Sequence, residues 1–321
     1  MKVSVILCTY NRSKSLVKAL DSIARLVMPE SVVWEVLIID NNSKDETRTV
    51  AQDFSGRFPG RFRYIFESKQ GKSNALNTAL READGDLFAF VDDDVEVDQN
   101  WLRNLTAPFE NGSWSGAGGR ILPESGFVPP HWLDVNARDA FAPLAIFDQG
   151  EQAGELHDTP YGTNMAFRKE MFARYGNFRT DLGPQPGNEV RNEDTEFGSR
   201  LLEAGERFWY EPSAVVFHSI PAHRVQKKYF LRWWFDKARA DIRQHGVPRD
   251  TRWYLAGIPL YMFRRLAVWT VRWICTPGSS RRFLARTNAL KAAGTIYECY
   301  QLAQVSNHAG ENASIVSEPR S

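Results

Sequence analysis

The chain has 321 residues, 43% apolar and 25% charged, a balance that suits one large α/β domain with an appendage, or two modest domains, and excludes disorder. A net charge of +1 hides a split: residues 1–219 carry 23 lysines and arginines against 33 acids, residues 220–321 carry 17 against 6, so the two parts are expected to face different partners. Three scattered cysteines, Cys8, Cys275 and Cys299, exclude a disulfide framework or CxxC metal site, and the opening Met-Lys-Val-Ser-Val-Ile-Leu lacks a secretory signal, so a cytoplasmic location is expected.

Val3–Cys8 is an apolar run without alternation, the pattern of a strand buried on both faces of a parallel sheet. It stops at Thr9-Tyr10-Asn11-Arg12, and Leu16, Leu20 and Ile23 then recur at helical spacing behind Ser13. Trp34–Ile39 is a second strand ending in Asp40-Asn41-Asn42-Ser43, followed by a helix-compatible stretch to Asp53. Arg63–Glu67 is a third strand, Gly71 and Ser73 open a helix through Leu80, and Leu87–Val91 is a fourth strand that runs into Asp92-Asp93-Asp94. This β-α alternation predicts a mainly parallel sheet with helices on its faces.

Open α/β sheets bind ligands at the carboxyl ends of their strands. Three polar clusters, Thr9–Arg12, Asp40–Ser43 and Asp92–Asp94, therefore fall on one edge. The Asp triplet reads either as a solvated acidic turn or as a site awaiting a cation, since burying uncompensated carboxylates is costly. Strand alternation puts Asp92 and Asp94 on one face and Asp93 on the other, and paired hard oxygen ligands suit Mg²⁺ or Mn²⁺. Neither GxGxxG after the first strand nor GxxxxGK[ST] is present, so side chains are expected to hold any nucleotide.

Taken with Gly71-Lys72-Ser73-Asn74-Ala75-Leu76-Asn77 and Phe90-Val91-Asp92-Asp93-Asp94, the two earlier strand ends form an ordered set that resembles the motifs of the family 2 glycosyltransferases, over residues 3–235. The resemblance implies a GT-A fold: a mixed, mainly parallel sheet flanked by helices. It implies a nucleotide-sugar donor, a UDP-sugar in the first instance, contacted by Thr9, Tyr10, Asn11, Arg12, Asn42, Lys72 and Asn74, with Asp40 on the base. Asp92 and Asp94 would be the DxD pair whose Mn²⁺ or Mg²⁺ binds the donor diphosphate. Asp94 is expected to ligate the metal directly and Asp92 to touch ribose or a metal-bound water, with Asp93 pointing away in the same nucleotide-binding group.

Residues 101–156 are less legible. Gly116–Ile121 reads as a strand with close backbone approach, and Trp132 as either a sugar platform or a core anchor. Gly162-Thr163-Asn164-Met165 leads to a helix at Lys169–Tyr175 and resembles the family's acceptor-side segment, so Asn164 joins the expected sugar contacts. Gly183, Pro184, Pro186 and Gly187 suggest a mobile loop. It delivers Asn192-Glu193-Asp194-Thr195-Glu196, where a helix begins. These acids either complement the helix dipole or serve chemistry. By resemblance, Asp194 is the general base of an inverting transfer and Glu193 contacts sugar, with retaining chemistry the second mechanism. His218 ends the apolar strand at Phe208, as a structural hydrogen-bonder or, by resemblance, a metal ligand.

From Arg224 the chain turns cationic and aromatic, and no run reaches the roughly 20 apolar residues a spanning helix needs. The composition fits an interfacial helix on an anionic membrane, and equally helices packed on the catalytic domain with arginines outward. No nucleic-acid module is present, so nucleic acid is not an expected partner. Arg232-Trp233 is similar to the QxxRW signature of processive members, but Gln226 stands six residues upstream. The expected division is a catalytic domain over 1–219 (nucleotide half 1–100, acceptor half 101–219), a helical extension over 220–305 and a disordered tail from Ser306. The leading function is transfer of sugar to a glycan or lipid-linked hydroxyl in envelope polysaccharide synthesis, with the enzyme peripheral on the cytoplasmic face of the membrane. The other readings are a non-catalytic sugar- or nucleotide-binding module and a sugar-phosphate nucleotidyltransferase, although the Gly-rich, Arg-containing loop of the last is absent.

Overall fold

The computed structural model describes residues 1–137, 139–249 and 251–315. The chain divides into two units, one formed by Met1–Val128, Arg138–Asn188 and Glu193–Ala222, the other by Pro129–Ala137, Glu189–Asn192 and His223–Ser321.

In the first unit, β1 (Lys2–Thr9) lies between β2 (Val33–Asp40) and β4 (Leu87–Asp92), parallel to both, and β3 (Phe62–Phe66) extends the parallel set beyond β2. On the other side of β4 the sheet turns mixed. β8 (Asn164–Arg168) runs antiparallel to β4, and β6 (Gly116–Pro123) antiparallel to β8. β9 (Phe208–His218) is parallel to β6, and β5 (Val95–Val97) and β7 (Gly154–Leu156) both pair antiparallel with β9.

The unbroken apolar run of β1 makes sense in this position, because both faces of the strand are covered. Val3, Val5 and Leu7 pack with Leu16, Leu20 and Ile23 of α1 (Ser13–Ala24) and Phe54 of α2 (Thr47–Arg57). Ile6 faces the opposite layer with Phe88 and Phe90, against α3 (Lys72–Glu82). That layer is rich in phenylalanine. Phe172 of α6 (Lys169–Tyr175) stacks on Phe197 of α7 (Glu193–Glu203), ring centroids 4.4 Å apart, and both meet Phe167 edge-on. A short helix, α4 (Trp101–Thr106), packs beside β6 and β9, and α5 (Pro108–Asn111) packs on α4.

The second unit is built on α8 (Lys227–His245), a small hairpin of β10 (Tyr254–Leu255) and β11 (Ile258–Pro259), α9 (Leu260–Cys275) and α10 (Ser279–Ile315). Asp236 and Glu298 are buried between α8 and α10. Arg239 spans them, donating to Asp236 Oδ1 at 3.0 Å and Glu298 Oε2 at 2.9 Å, with Arg243 on the other glutamate oxygen. Gly294 lets the two helices approach closely, since a Cβ there would lie 2.3 Å from the Phe235 carbonyl oxygen. Of the tail expected from Ser306, the backbone is helical to Ile315, and residues 316–321 lie outside the described residues. Among the described residues no helix is long and apolar enough to cross a membrane.

Candidate active site

Parallel register brings the three polar clusters together. Thr9 stands opposite Asp40, and Cys8 opposite Asp92, so the ends of β1, β2 and β4 share one edge. Asp40 is buried and already well served: the Ser43 N–H donates to Oδ1 at 2.9 Å and the Tyr64 hydroxyl to Oδ2 at 3.0 Å. Burial and the neighbouring Asp40 push the Tyr64 hydroxyl up to about 12, which keeps it a donor. Asn11 and Asn42 are both left-handed, and Asn11 interlocks the first two loops. The Asn11 N–H donates to Ser43 Oγ at 2.9 Å, and Asn11 Oδ1 accepts the Lys44 N–H at 2.7 Å. Asn74 donates to the Gln70 carbonyl at 2.9 Å and so shapes its own helix start.

The strand ends at Asp92, and Asp93-Asp94 form a turn, so the expected alternation stops there. Asp93 does not point away. Its buried carboxylate and that of Asp94 both accept from Arg12 Nη1, at 2.9 and 2.7 Å. Burial pushes the Asp93 carboxyl up to about 6, Arg12 opposing and Asp94 and Asp92 adding to the shift. Asp92 goes elsewhere: Lys72 Nζ donates to its Oδ1 at 2.9 Å and the Thr163 hydroxyl to its Oδ2 at 2.7 Å. Burial is the largest influence on the Asp92 carboxyl and would raise it, but Lys72 and the Thr163 hydrogen bond together bring the net direction down.

Lys72 also reaches Glu193 Oε1 at 3.4 Å. Burial works against its charge, yet Asp92 and Glu193 hold it well above the ordinary lysine value. Glu193 itself is raised, chiefly by burial, and its Oε2 is buried without a hydrogen-bond partner. The loop expected to be mobile is fastened here: the Lys72 N–H donates to the Pro184 carbonyl at 3.0 Å and Ser73 Oγ to the Leu182 carbonyl at 2.7 Å.

Asp194 opens α7. Its Oδ2 accepts the Gly162 N–H and its Oδ1 the Thr195 N–H, each at 2.7 Å. His218 arrives through strand pairing. Val95 stands opposite His218 in the β5–β9 ladder, which sets Asp94 Oδ1 3.5 Å from His218 Nε2. His218 Nδ1 lies 2.7 Å from the Leu144 carbonyl oxygen. A carbonyl only accepts, so Nδ1 carries the proton and, in the neutral ring, Nε2 presents its lone pair beside Asp94.

This arrangement suits a divalent cation at Asp94 and His218, a carboxylate oxygen and a correctly oriented imidazole. Five carboxyl groups (Asp92, Asp93, Asp94, Glu193 and Asp194) stand against Arg12 and Lys72, leaving negative charge for a cation to offset. Among the described residues no group of three or more His, Cys, Asp or Glu side chains is disposed to hold a metal. Both Asp92 oxygens are engaged, by Lys72 and Thr163, and Asp92 is not grouped with Asp94 and His218. Ions such as Mg²⁺ take only one or two protein ligands when substrate phosphates and water complete the shell. Beside Asp94 a cavity of about 210 Å³ is lined by Lys14, Ser15, Lys18, Glu96, Glu124 and Ser219.

Two expected sugar contacts lie elsewhere. Asn164 is buried in the sheet, where its amide donates to the Arg120 and Ala214 carbonyls at 2.9 and 2.8 Å and its oxygen accepts from the Trp101 indole. Trp132, 6% exposed, sits edge-on to Phe230 and Phe283 in the second unit, which leaves it the core anchor and not an open platform. Residues missed from the sequence are Thr163 and Gly162, which hold Asp92 and Asp194, and Asn41, which accepts the Gly71 N–H at 2.7 Å and donates to the Lys69 carbonyl at 2.8 Å. All three lie within or beside segments already marked as motifs; the pairings, 30 or more residues apart except with Lys69, carry no local signal.

Residues 4–176 match the model of glycosyl transferase family 2. The chain is 25% identical to the succinoglycan biosynthesis protein ExoM of Rhizobium meliloti over 302 residues, 92% of each protein. It is 27% identical to the glucosyl-dolichyl phosphate glucuronosyltransferase of Haloferax volcanii, covering 83% of this chain and 86% of that relative. Its fold is similar to that of the Pyrobaculum calidifontis mannosyltransferase PcManGT, solved with GDP-Man and Mn²⁺, with a TM-score of 0.55 at 19% identity over 99% of this chain and 76% of that one. The GT-A architecture and the family match agree, and the chain is a glycosyltransferase that belongs to family 2.

Proposed function

We propose that this glycosyltransferase moves a sugar from a nucleotide-sugar, with inversion, onto a hydroxyl of a glycan or lipid-linked acceptor in polysaccharide synthesis. The observation that carries this reading is the Asp194 carboxylate at the start of α7, held at both oxygens by backbone N–H groups. Oδ1 also takes the Thr195 hydroxyl at 3.4 Å, which leaves a lone pair on Oδ2, and a carboxylate so oriented accepts the acceptor's proton as the new bond forms at the anomeric carbon. One fixed base on the acceptor side is what direct displacement requires.

The nucleotide is held at the edge formed by Thr9–Arg12, Asp40–Ser43 and Asp92. Asp40, oriented by Ser43 and Tyr64, faces the base, and the Lys72–Asp92–Thr163 cluster holds the ribose end of the donor. Glu193 Oε2 supplies an acceptor for a sugar hydroxyl. Asp94 and His218 would hold Mn²⁺ or Mg²⁺, which when bound offsets the charge gathering on the departing diphosphate. The acceptor class is supported by the relatives, ExoM of succinoglycan biosynthesis and a glucuronosyltransferase named for a lipid phosphate. GDP-Man in the structural neighbour and a glucuronosyl donor in the name of the relative keep the choice of base and sugar for a donor panel to decide.

The test is donor turnover across nucleotide sugars, with and without chelator, in the wild type and in Asp194→Asn. The variant is expected to lose transfer by about 10²–10⁴-fold, the contribution of a positioned base, while nucleotide binding in the presence of Mn²⁺ stays unchanged. Near-normal turnover by Asp194→Asn would remove the residue from this role. Turnover that survives the chelator would remove the metal from Asp94 and His218.

A further inference from the structure

Helix α9 is apolar on two faces. Met262 is buried and Leu266, Trp269 and Trp273 are half-buried, which accounts for the face packed on its own unit. The opposite face of a helix on a water-soluble protein is ordinarily polar. Here it presents Leu260 (43% exposed), Val268 (44%), Val271 (58%) and Ile274 (68%), at the spacing of one stripe. The hairpin before it continues the patch. Leu260 N–H donates to the Trp253 carbonyl at 3.0 Å, and Trp253 is 72% and Leu255 58% exposed.

Along the segment that carries this patch the charge has one sign. Residues 251–297 contain eight lysines and arginines and no aspartate or glutamate. Arg265 and Arg272 of α9 are exposed beside the apolar stripe and Arg264 within it, between Leu260 and Val268, and Arg272 lies over the Trp269 ring, 4.8 Å from its centroid. Sixteen residues make a helix about 24 Å long, short of the roughly 30 Å hydrocarbon core. An apolar stripe flanked by arginines, too short and too charged to span, is the pattern of a helix lying in a lipid interface.

We propose that α9 and the Trp253–Leu255 hairpin form a docking surface for an anionic lipid membrane, the apolar stripe entering the headgroup boundary and the arginines meeting lipid phosphates. Charge selects this occupant. A second copy would set arginine against arginine around the same stripe, whereas anionic lipid attracts every one of them. The patch shares no residue with the catalytic edge and stands whether or not the mechanism above holds.

The experiment is co-sedimentation of the full chain with vesicles of phosphatidylcholine alone or mixed with phosphatidylglycerol. The wild type is expected to pellet with the mixed vesicles, less so as salt is raised, and to stay in solution with the neutral ones. A double variant V271E/I274E changes only exposed side chains; it is expected to keep the wild-type thermal melt and donor turnover and to lose vesicle binding. R264Q/R272Q is expected to lower the partition coefficient roughly 25-fold, about fivefold per arginine. Wild-type protein that stays in solution with phosphatidylglycerol vesicles, or V271E/I274E that pellets as well as wild type, would overturn the proposal. A wild-type dimer in sedimentation velocity that V271E/I274E converts to monomer, without vesicle binding, would overturn it too and assign the face to a second copy.

Discussion

At Gly162 the site depends on an atom that is missing. The backbone N–H of this residue holds Asp194 Oδ2, and a Cβ on it would stand 2.8 Å from that same oxygen. Ala in its place therefore keeps the donor but forces the carboxylate to move. Misplacing a catalytic group by an ångström costs on the order of 10²-fold in rate. Gly162→Ala is expected to lower kcat by about that factor while donor affinity changes little, because the nucleotide contacts lie on other elements. Steady-state kinetics check this, and a variant with an unchanged kcat would show that the Asp194 position is not critical. Sequence reading selected Asp194 and passed over Gly162, because the reason for this glycine is a carboxylate 32 residues further on. Asn164 shows the opposite error. It stands in the motif segment, yet its amide and oxygen are spent on Arg120, Ala214 and Trp101, and nothing local distinguishes a buried amide that binds protein from one that binds sugar.

Among the elements, what local pattern decides was legible: the buried strands β1, β2 and β4, the helix at Lys169–Tyr175 and the start of α7 among its acids. β5 was not. Val95-Glu96-Val97 is too short to announce itself, and it becomes a strand only by pairing with β9, a register that also delivers His218 to Asp94. Pairing likewise explains Glu35, near the amino ends of the strands and far along them from the site edge. This buried carboxylate accepts from Ser4 Oγ at 2.7 Å, the Asp84 N–H at 3.0 Å and Arg63 Nη1 at 3.0 Å, tying β1, β2, β3 and the turn before β4. Burial alone would raise its carboxyl, but these hydrogen bonds and Arg63 bring it below the ordinary 4.5. A folded-state value below the unfolded one adds stability that is fully present above about 4.5 and is lost as the pH falls through the folded value. Glu35→Gln is expected to destabilise the protein by about 1–3 kcal/mol at pH 7. The gap from wild type should narrow below pH 4.5 in denaturant titrations run across pH. A gap that stayed constant with pH would mean the charge contributes nothing and only the shape of the side chain matters.

At the scale of the whole molecule, the charge split in the sequence follows the two units, but the boundary between them is not a single cut. The chain enters the second unit three times, through Pro129–Ala137, Glu189–Asn192 and His223 onward. The first two visits are too short to shift the charge balance, so a boundary near residue 220 was the simplest reading of the sequence. Both short visits depend on residues beyond Ala222. Trp132 packs on Phe230 and Phe283, and the Asn192 amide donates to Asp241 at 2.9 Å and Gln244 at 2.8 Å. Asn192, left-handed with φ of 82°, is also the residue immediately before Glu193 and Asp194. Truncation after Ala222 would therefore strip the partners from a buried tryptophan, a loss comparable to the 3–5 kcal/mol of a core Trp→Ala change, and release the backbone that enters α7. The truncated chain is expected to melt well below the full protein and to lose transfer with every residue of the catalytic edge still present. The milder Asn192→Ala in the full chain separates the two effects. It keeps the Trp132 packing and removes only the tether to α8, so kcat should fall while the melting temperature shifts by a few degrees. A 1–222 chain that melts and turns over like the full protein would mean that the second unit serves only its own surface, and that the approach to Asp194 is set entirely within the first.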